Sequence, residues 1–157
     1  VLRVLRICED ADLNPSRLRL QIREQALTRY GQCTKDVLEA FHRAGVTITL
    51  DDFGSGHSSL SHLRSMAFDR IKIDSTFVRS MTRSDEDTAF VRGIVHLSKL
   101  LGLSVTAEGI DDDEAVAKLL KEGCDEGLGG TFGLPMPPDA AATIIRSVGL
   151  RDAPNAQ

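Results

Sequence analysis

At 157 residues, 41% hydrophobic and 27% charged, the chain has the composition of one globular unit able to bury a core, and not of a disordered tail. Its net charge of −4 argues against DNA or RNA binding, which depends on a clustered basic excess, and it holds no run of about 18 apolar residues that could span a bilayer. Cys8, Cys33 and Cys124 are widely spaced without a CxxC pair, and charges interrupt VLRVLRICEDADL where a signal peptide needs an apolar core, so the expected location is the cytoplasm, with reduced thiols.

In chain order, RLRLQI (17–22) alternates as a strand, and Val37, Leu38, Phe41 and Ala44 form a helical stripe that stops at Gly45. VTITLDD (46–52) sets Val46, Ile48 and Leu50 against Thr47, Thr49 and Asp51, the period of a strand, and RIKID (70–74) repeats the pattern. RSDEDT (83–88) reads as a helix start, its acids suited to the positive end of the dipole, and leads into the stripe Phe90, Val91, Ile94, Leu97, Leu101, ending at Gly102. LSVTAEG (103–109) is a third clear strand. Val116, Leu119 and Leu120 form a helix stopping at Gly123, CDEGLGG (124–130) is a weak strand, and Ile144, Ile145 and Val148 close the pattern at Gly149 before the polar tail RDAPNAQ. Strands alternating with helices of this length need crossover connections, hence parallel pairing and an α/β sheet or barrel.

Asp51 and Asp52, Asp74 and Glu108 each end a strand, at the edge where parallel α/β folds gather ligands and catalytic groups. Strict alternation sends Asp51 and Asp52 to opposite faces, but the DFGSG turn allows the second carboxylate to curl back toward the first. Two such neighbours repel unless a cation lies between them. Lys72, unusual inside an apolar strand, is one candidate, and Mg²⁺ or Mn²⁺ is the other. The alternative for the pair is capping of a helix that starts near Ser58. His57 and His62, five residues apart, do not share a helical face and read as surface or loop residues. GLGGTFG lacks the Lys-Ser/Thr of a phosphate loop and reads as a turn.

LDDFGSGHSSLSHL, FDRIKIDSTFV, LGLSVTAEGID and EGCDEG with GGTFGLPMP, in this order, resemble the later part of the EAL domain, the bacterial phosphodiesterase family acting on cyclic di-GMP. The resemblance implies a (β/α)8 TIM-barrel-like EAL fold, truncated here to roughly the last five βα units, with residues 1–150 as a partial EAL domain and 151–157 as its tail. It implies that Asp51 and Asp52 are metal-binding aspartates and that Lys72 orients the attacking water or a phosphate oxygen. Glu108 is the metal contact or general base, Glu24 anchors the DFGSG loop, and Asp111, a shortened form of a family glutamate, is a substrate-side acid. The implied partners are cyclic di-GMP, regulatory or sensory domains, and a second copy of the chain.

The departures from the family pattern matter as much. The EAL tripeptide and the asparagine-bearing strand are absent, Gln21 stands where the family has a metal-ligand glutamate, and Leu128 and Gly130 replace its Gln-Gly-Tyr glutamine and tyrosine. An amide brings no charge to a hard divalent ion. The expectation is an impaired phosphodiesterase that keeps one weak Mg²⁺ or Mn²⁺ site and acts as a nucleotide-responsive domain of bacterial signal transduction. Two other readings stay open: an active hydrolase completed by upstream residues, and a protein-interaction scaffold without nucleotide. Val at position 1 suggests a fragment or a valine start codon read literally. With about five strands, the chain is expected to leave an open, apolar edge, and the stripe of Phe90, Ile94 and Leu97 to face an incompletely filled interior.

Overall fold

The computed structural model describes residues 1–54, 63 and 66–148. The helix α1 (Leu2–Asp10) leads through a 3-10 turn at Pro15–Arg17, capped by Asn14, into the first strand β1 (Arg19–Arg23). Then come α2 (Glu24–Arg43), β2 (Thr47–Phe53), β3 (Arg70–Ile73), α3 (Ser75–Ser80), α4 (Asp85–Leu100), β4 (Ser104–Glu108), α5 (Asp113–Glu122), β5 (Glu126–Leu128) and α6 (Pro138–Val148). The predicted start at 17 gives way to the proline turn, which delays pairing until Arg19. Among the described residues no helix is long and apolar enough to cross a membrane.

The five strands pair in sequence order, β1-β2-β3-β4-β5, and every pairing is parallel. The fold is a partial (β/α) barrel. Local chemistry sets the helix ends: Ser84 accepts the Asp87 N–H ahead of α4, whose first turn carries Asp85, Glu86 and Asp87, and Asp112 accepts the Ala115 N–H ahead of α5. Gly123 closes α5 at φ 84°, a left-handed turn that a side chain would strain.

Register separates the sheet into two faces. Ile48, Leu50, Ile71, Ile73, Val105 and Ala107 point outward to the helices and are at most 1% exposed, and Leu20 and Ile22 pack on the same core. The intervening residues face inward and are polar: Arg19, Gln21 and Arg23 from β1, Thr47, Thr49 and Asp51 from β2, Arg70 and Lys72 from β3, then Ser104, Thr106, Glu108 and Glu126.

This arrangement corrects the expected apolar interior. The helices lie outside the strands, so Ile94, 5% exposed, packs on the outward core. Leu97 is half-buried, and Phe90 is exposed but stacked on Phe77 with ring centroids 4.4 Å apart. The exposed side chains of β1 are also not apolar but Arg19, Gln21 and Arg23, on its inward face. The expected helix start near Ser58, His57 and His62, Gly149 and the tail lie outside the described residues.

Candidate active site at the carboxyl ends of the strands

Period two along β2, β3 and β4 brings Asp51, Lys72 and Glu108 to the same inward face at the strand ends. Lys72, 7% exposed, places its Nζ 3.2 Å from Asp51 Oδ1 and 2.5 Å from Glu108 Oε2, and donates to Gln21 Oε1 at 3.5 Å. Burial works against the ammonium, but the hydrogen bonds and charges of Glu108 and Asp51 outweigh it and hold Lys72 above its ordinary value. Lys72 is therefore a fixed cation. It lies between Asp51 and Glu108 and not between Asp51 and Asp52, the pair for which it was a candidate cation.

Asp52 reaches the site by a different route. Strand pairing slips between Leu50 and Phe53, and Asp52 adopts φ 56°, a left-handed conformation uncommon outside glycine. Its N–H donates to Asp51 Oδ1 at 3.0 Å, and its Oδ2 lies 3.2 Å from Arg23 Nε. Burial first, then the charge of Asp51, pushes the Asp52 carboxyl above its ordinary value, with Asp74 adding to the push and Arg23 opposing it. The curl expected of the DFGSG turn thus happens at Asp52 itself. Gly54 follows at φ 103°, where an added Cβ would stand 3.0 Å from the Phe90 ring and 3.1 Å from that of Phe77.

The other candidates lie around this group. Glu24 is 2% exposed at the first turn of α2, while Ser55 and Gly56 of the loop it was expected to anchor are outside the described residues. Asp111 does not join the Lys72 group. Its Oδ2 takes Arg79 Nε at 3.1 Å, and Gly130 N–H donates to its Oδ1 at 3.4 Å. Asp111, Arg79, Glu108, Leu128, Gly130 and Phe132 line a cavity of about 570 Å³. Asp74 follows the last residue of β3 as expected and caps α3 by accepting the Thr76 N–H at 2.7 Å, and its charge acts on Asp52.

Arg23 and Arg79 are side chains of the candidate site that sequence reasoning missed. Arg23 had a signal, since it follows Gln21 by two residues on the same strand face; Arg79 had none, because its partner lies 32 residues away.

Among the described residues the donors do not fit a pair of metal ions. Among the described residues no group of three or more His, Cys, Asp or Glu is placed to hold one, and the Lys72 ammonium sits between Asp51 and Glu108. Glu108, expected as a metal contact or general base, is here an ion-pair partner of Lys72. Asp51 and Asp52 remain, two adjacent carboxylates crowded enough to favour a cation.

The family model described as EAL domain matches residues 1–135. An uncharacterized signaling protein of Caulobacter vibrioides is 45% identical over 128 residues, 82% of this chain and 16% of that one. The bifunctional diguanylate cyclase/cyclic di-GMP phosphodiesterase MucR of Pseudomonas aeruginosa is 35% identical over 127 residues, 81% of this chain and 18% of that one. The solved PaMucR phosphodiesterase in complex with c-di-GMP superimposes with a TM-score of 0.83 at 33% identity, covering 88% of this chain and 56% of that chain. BlrP1 of Klebsiella pneumoniae, in a manganese/cy-diGMP complex, gives a TM-score of 0.72 at 31% identity over 77% of this chain and 31% of that one. The chain thus spans about a sixth of the length of these curated relatives.

Proposed function

We propose, because the chain belongs to the EAL domain family, that it is a cyclic di-GMP-responsive domain of bacterial signalling whose phosphodiesterase chemistry is lost or much reduced. The observation that carries this reading is the incomplete donor set: among the described residues no group of three or more His, Cys, Asp or Glu is placed to hold a metal ion. In phosphodiester hydrolysis two divalent ions activate a water and stabilise the leaving oxygen. Here Asp51 and Asp52 are the residues that would hold one Mg²⁺ or Mn²⁺, weakly, because Gln21 contributes an amide in place of a charge.

The side chains present suit binding better than turnover. Glu108, tied to Lys72, is a poor general base, since accepting a proton would cost it that ion pair. Lys72 donates to a phosphate oxygen only by giving up one of its three partners, of which Gln21 at 3.5 Å is the most weakly held. Leu128 orients no water. Arg79 at the cavity wall suits a phosphate, and Asp111 beside it suits the N–H edge of a guanine. Glu24, buried under the start of α2, is proposed to anchor the turn that follows Asp52 and Phe53. Residues 1–150 are proposed as one partial domain with 151–157 as its tail, working in the cytoplasm, where Cys8, Cys33 and Cys124 stay free, alongside regulatory or sensory domains or a second copy.

Calorimetric titration with cyclic di-GMP and a turnover assay in Mg²⁺ and Mn²⁺ test the proposal together. The expected result is saturable binding without appreciable hydrolysis. Turnover at roughly 1 per second or faster would establish an active phosphodiesterase, and absence of both binding and turnover would leave a protein-interaction scaffold.

A further inference from the structure

Arg19 opens β1 and Glu126 opens β5, the two outer strands of the sheet. Their side chains nevertheless meet: Arg19 Nη1 donates to Glu126 Oε2 at 2.8 Å, and Nη2 donates to Oε1 at 3.3 Å. Four inter-strand steps of about 4.8 Å would hold the outer strands of a flat sheet roughly 19 Å apart, farther than this pair can span. The contact exists because the sheet is curled.

Two further groups converge on the same carboxylate. Arg70 Nη1 of β3 lies 2.9 Å from Glu126 Oε2, and Thr106 Oγ1 of β4 donates to it at 3.3 Å. Alternate strands of a barrel share interior layers, so β1, β3 and β5 meet at one level. Two residues further along β1 and β3, on the same face, stand Gln21 and Lys72. Burial works to raise the Glu126 carboxyl, but the Arg19 hydrogen bond and the charges of Arg70 and Arg19 hold it below its ordinary value, so it is ionised at neutral pH.

We infer that Glu126 is a positioning residue: by gathering Arg19, Arg70 and Thr106 onto one carboxylate, it clasps the outer strands and sets the curvature at which Gln21, Asp51 and Glu108 converge on Lys72. Among the described residues β1 and β5 each pair on one side only, and the Arg19–Glu126 contact joins them through side chains. The inference concerns the geometry of the site and stands whether or not the site takes a nucleotide.

The test is a distance measurement by pulsed electron paramagnetic resonance on the full chain. Nitroxides are attached at Ser16→Cys and Lys121→Cys in a Cys33→Ser, Cys124→Ser background, Cys8 being buried. Glu126→Gln and Arg19→Met should each lengthen the mean distance by about one strand spacing, roughly 5 Å, and broaden its distribution. Arg19→Lys, which keeps a cation in place, should retain the parental distance. Arg92→Ala, which breaks the 2.8 Å pair with Glu122 on the outside of the molecule, should leave it unchanged. A parental distance in Arg19→Met, or an equal lengthening in Arg92→Ala, overturns the inference. Because Arg19 is 42% exposed on an edge strand, its variants decide the matter even where Glu126→Gln fails to fold.

Discussion

On the outward face of the strands, Ile71, Ile73 and Val105 are shut from solvent and held by packing alone; on the inward face of the same strands, Arg70, Lys72 and Thr106 are held by ions and hydrogen bonds. Each strand therefore serves two ends, stability outward and chemistry inward. The apolar side depends on volume and tolerates no cavity, whereas the polar side depends on charge balance, so that loss of one ion leaves its partners exposed to each other. The same division explains why a partial barrel with a polar interior need not expose its core.

The strongest way to break the comparison is a cavity on the outward face. Ile71→Ala should cost about 2–5 kcal/mol, read as a loss of unfolding free energy in urea, and a cost as small as that of a surface substitution would contradict the packing assigned to this face. On the inward face, Lys72→Met should cost less, about 1–3 kcal/mol. It should also strengthen Mn²⁺ binding in a calorimetric titration, because Asp51 and Glu108 lose their internal cation.

The pH dependence sharpens the second case. Lys72 is raised above 10.5 in the folded chain, so its stabilising contribution is complete below that value and is lost as pH rises through the higher folded value. An alkaline fall in stability that persists unchanged in Lys72→Met would assign the effect to another group. Asp52 carries the opposite consequence for an acid. Its raised value means that the folded chain binds the proton more tightly than the unfolded one, so stability gains on acidification toward 3.8 and is lower once Asp52 ionises. Asp52→Asn should therefore raise the thermal midpoint slightly at neutral pH, with the difference vanishing near pH 3. The smallest effect belongs to Arg23→Ala. Its side chain is 75% exposed, and removing it should tighten Mn²⁺ binding only about 2–5-fold, the scale of an exposed ion pair.

Much of the site was legible because strand period and strand end coincide. Asp51, Lys72 and Glu108 each fall at an inward position of an alternating segment, and parallel pairing brings those positions together whatever the loops do. Asp74 ends its strand as read and also caps the next helix, a second role for which the Ser-Thr that follows it was the available hint. The apolar stripe of α4 was legible as a stripe, but its direction was not. Whether Ile94 faces into a barrel or onto the outside of its strands depends on the layer order, which local periodicity does not carry.

The sequence by itself determined the order of strands and helices, the two-faced strand pattern, the presence of Gln21, Leu128 and Gly130 where the family pattern has other residues, and the membership of the motifs in one family. These are properties of neighbours within a few residues, where side-chain period and chemistry speak directly. Tertiary structure alone decided that Lys72 occupies the space between Asp51 and Glu108, that Asp52 turns left-handed beside Arg23 and that Arg19 meets Glu126. The last contact joins residues 107 positions apart, across a separation that only the curvature of the whole sheet removes.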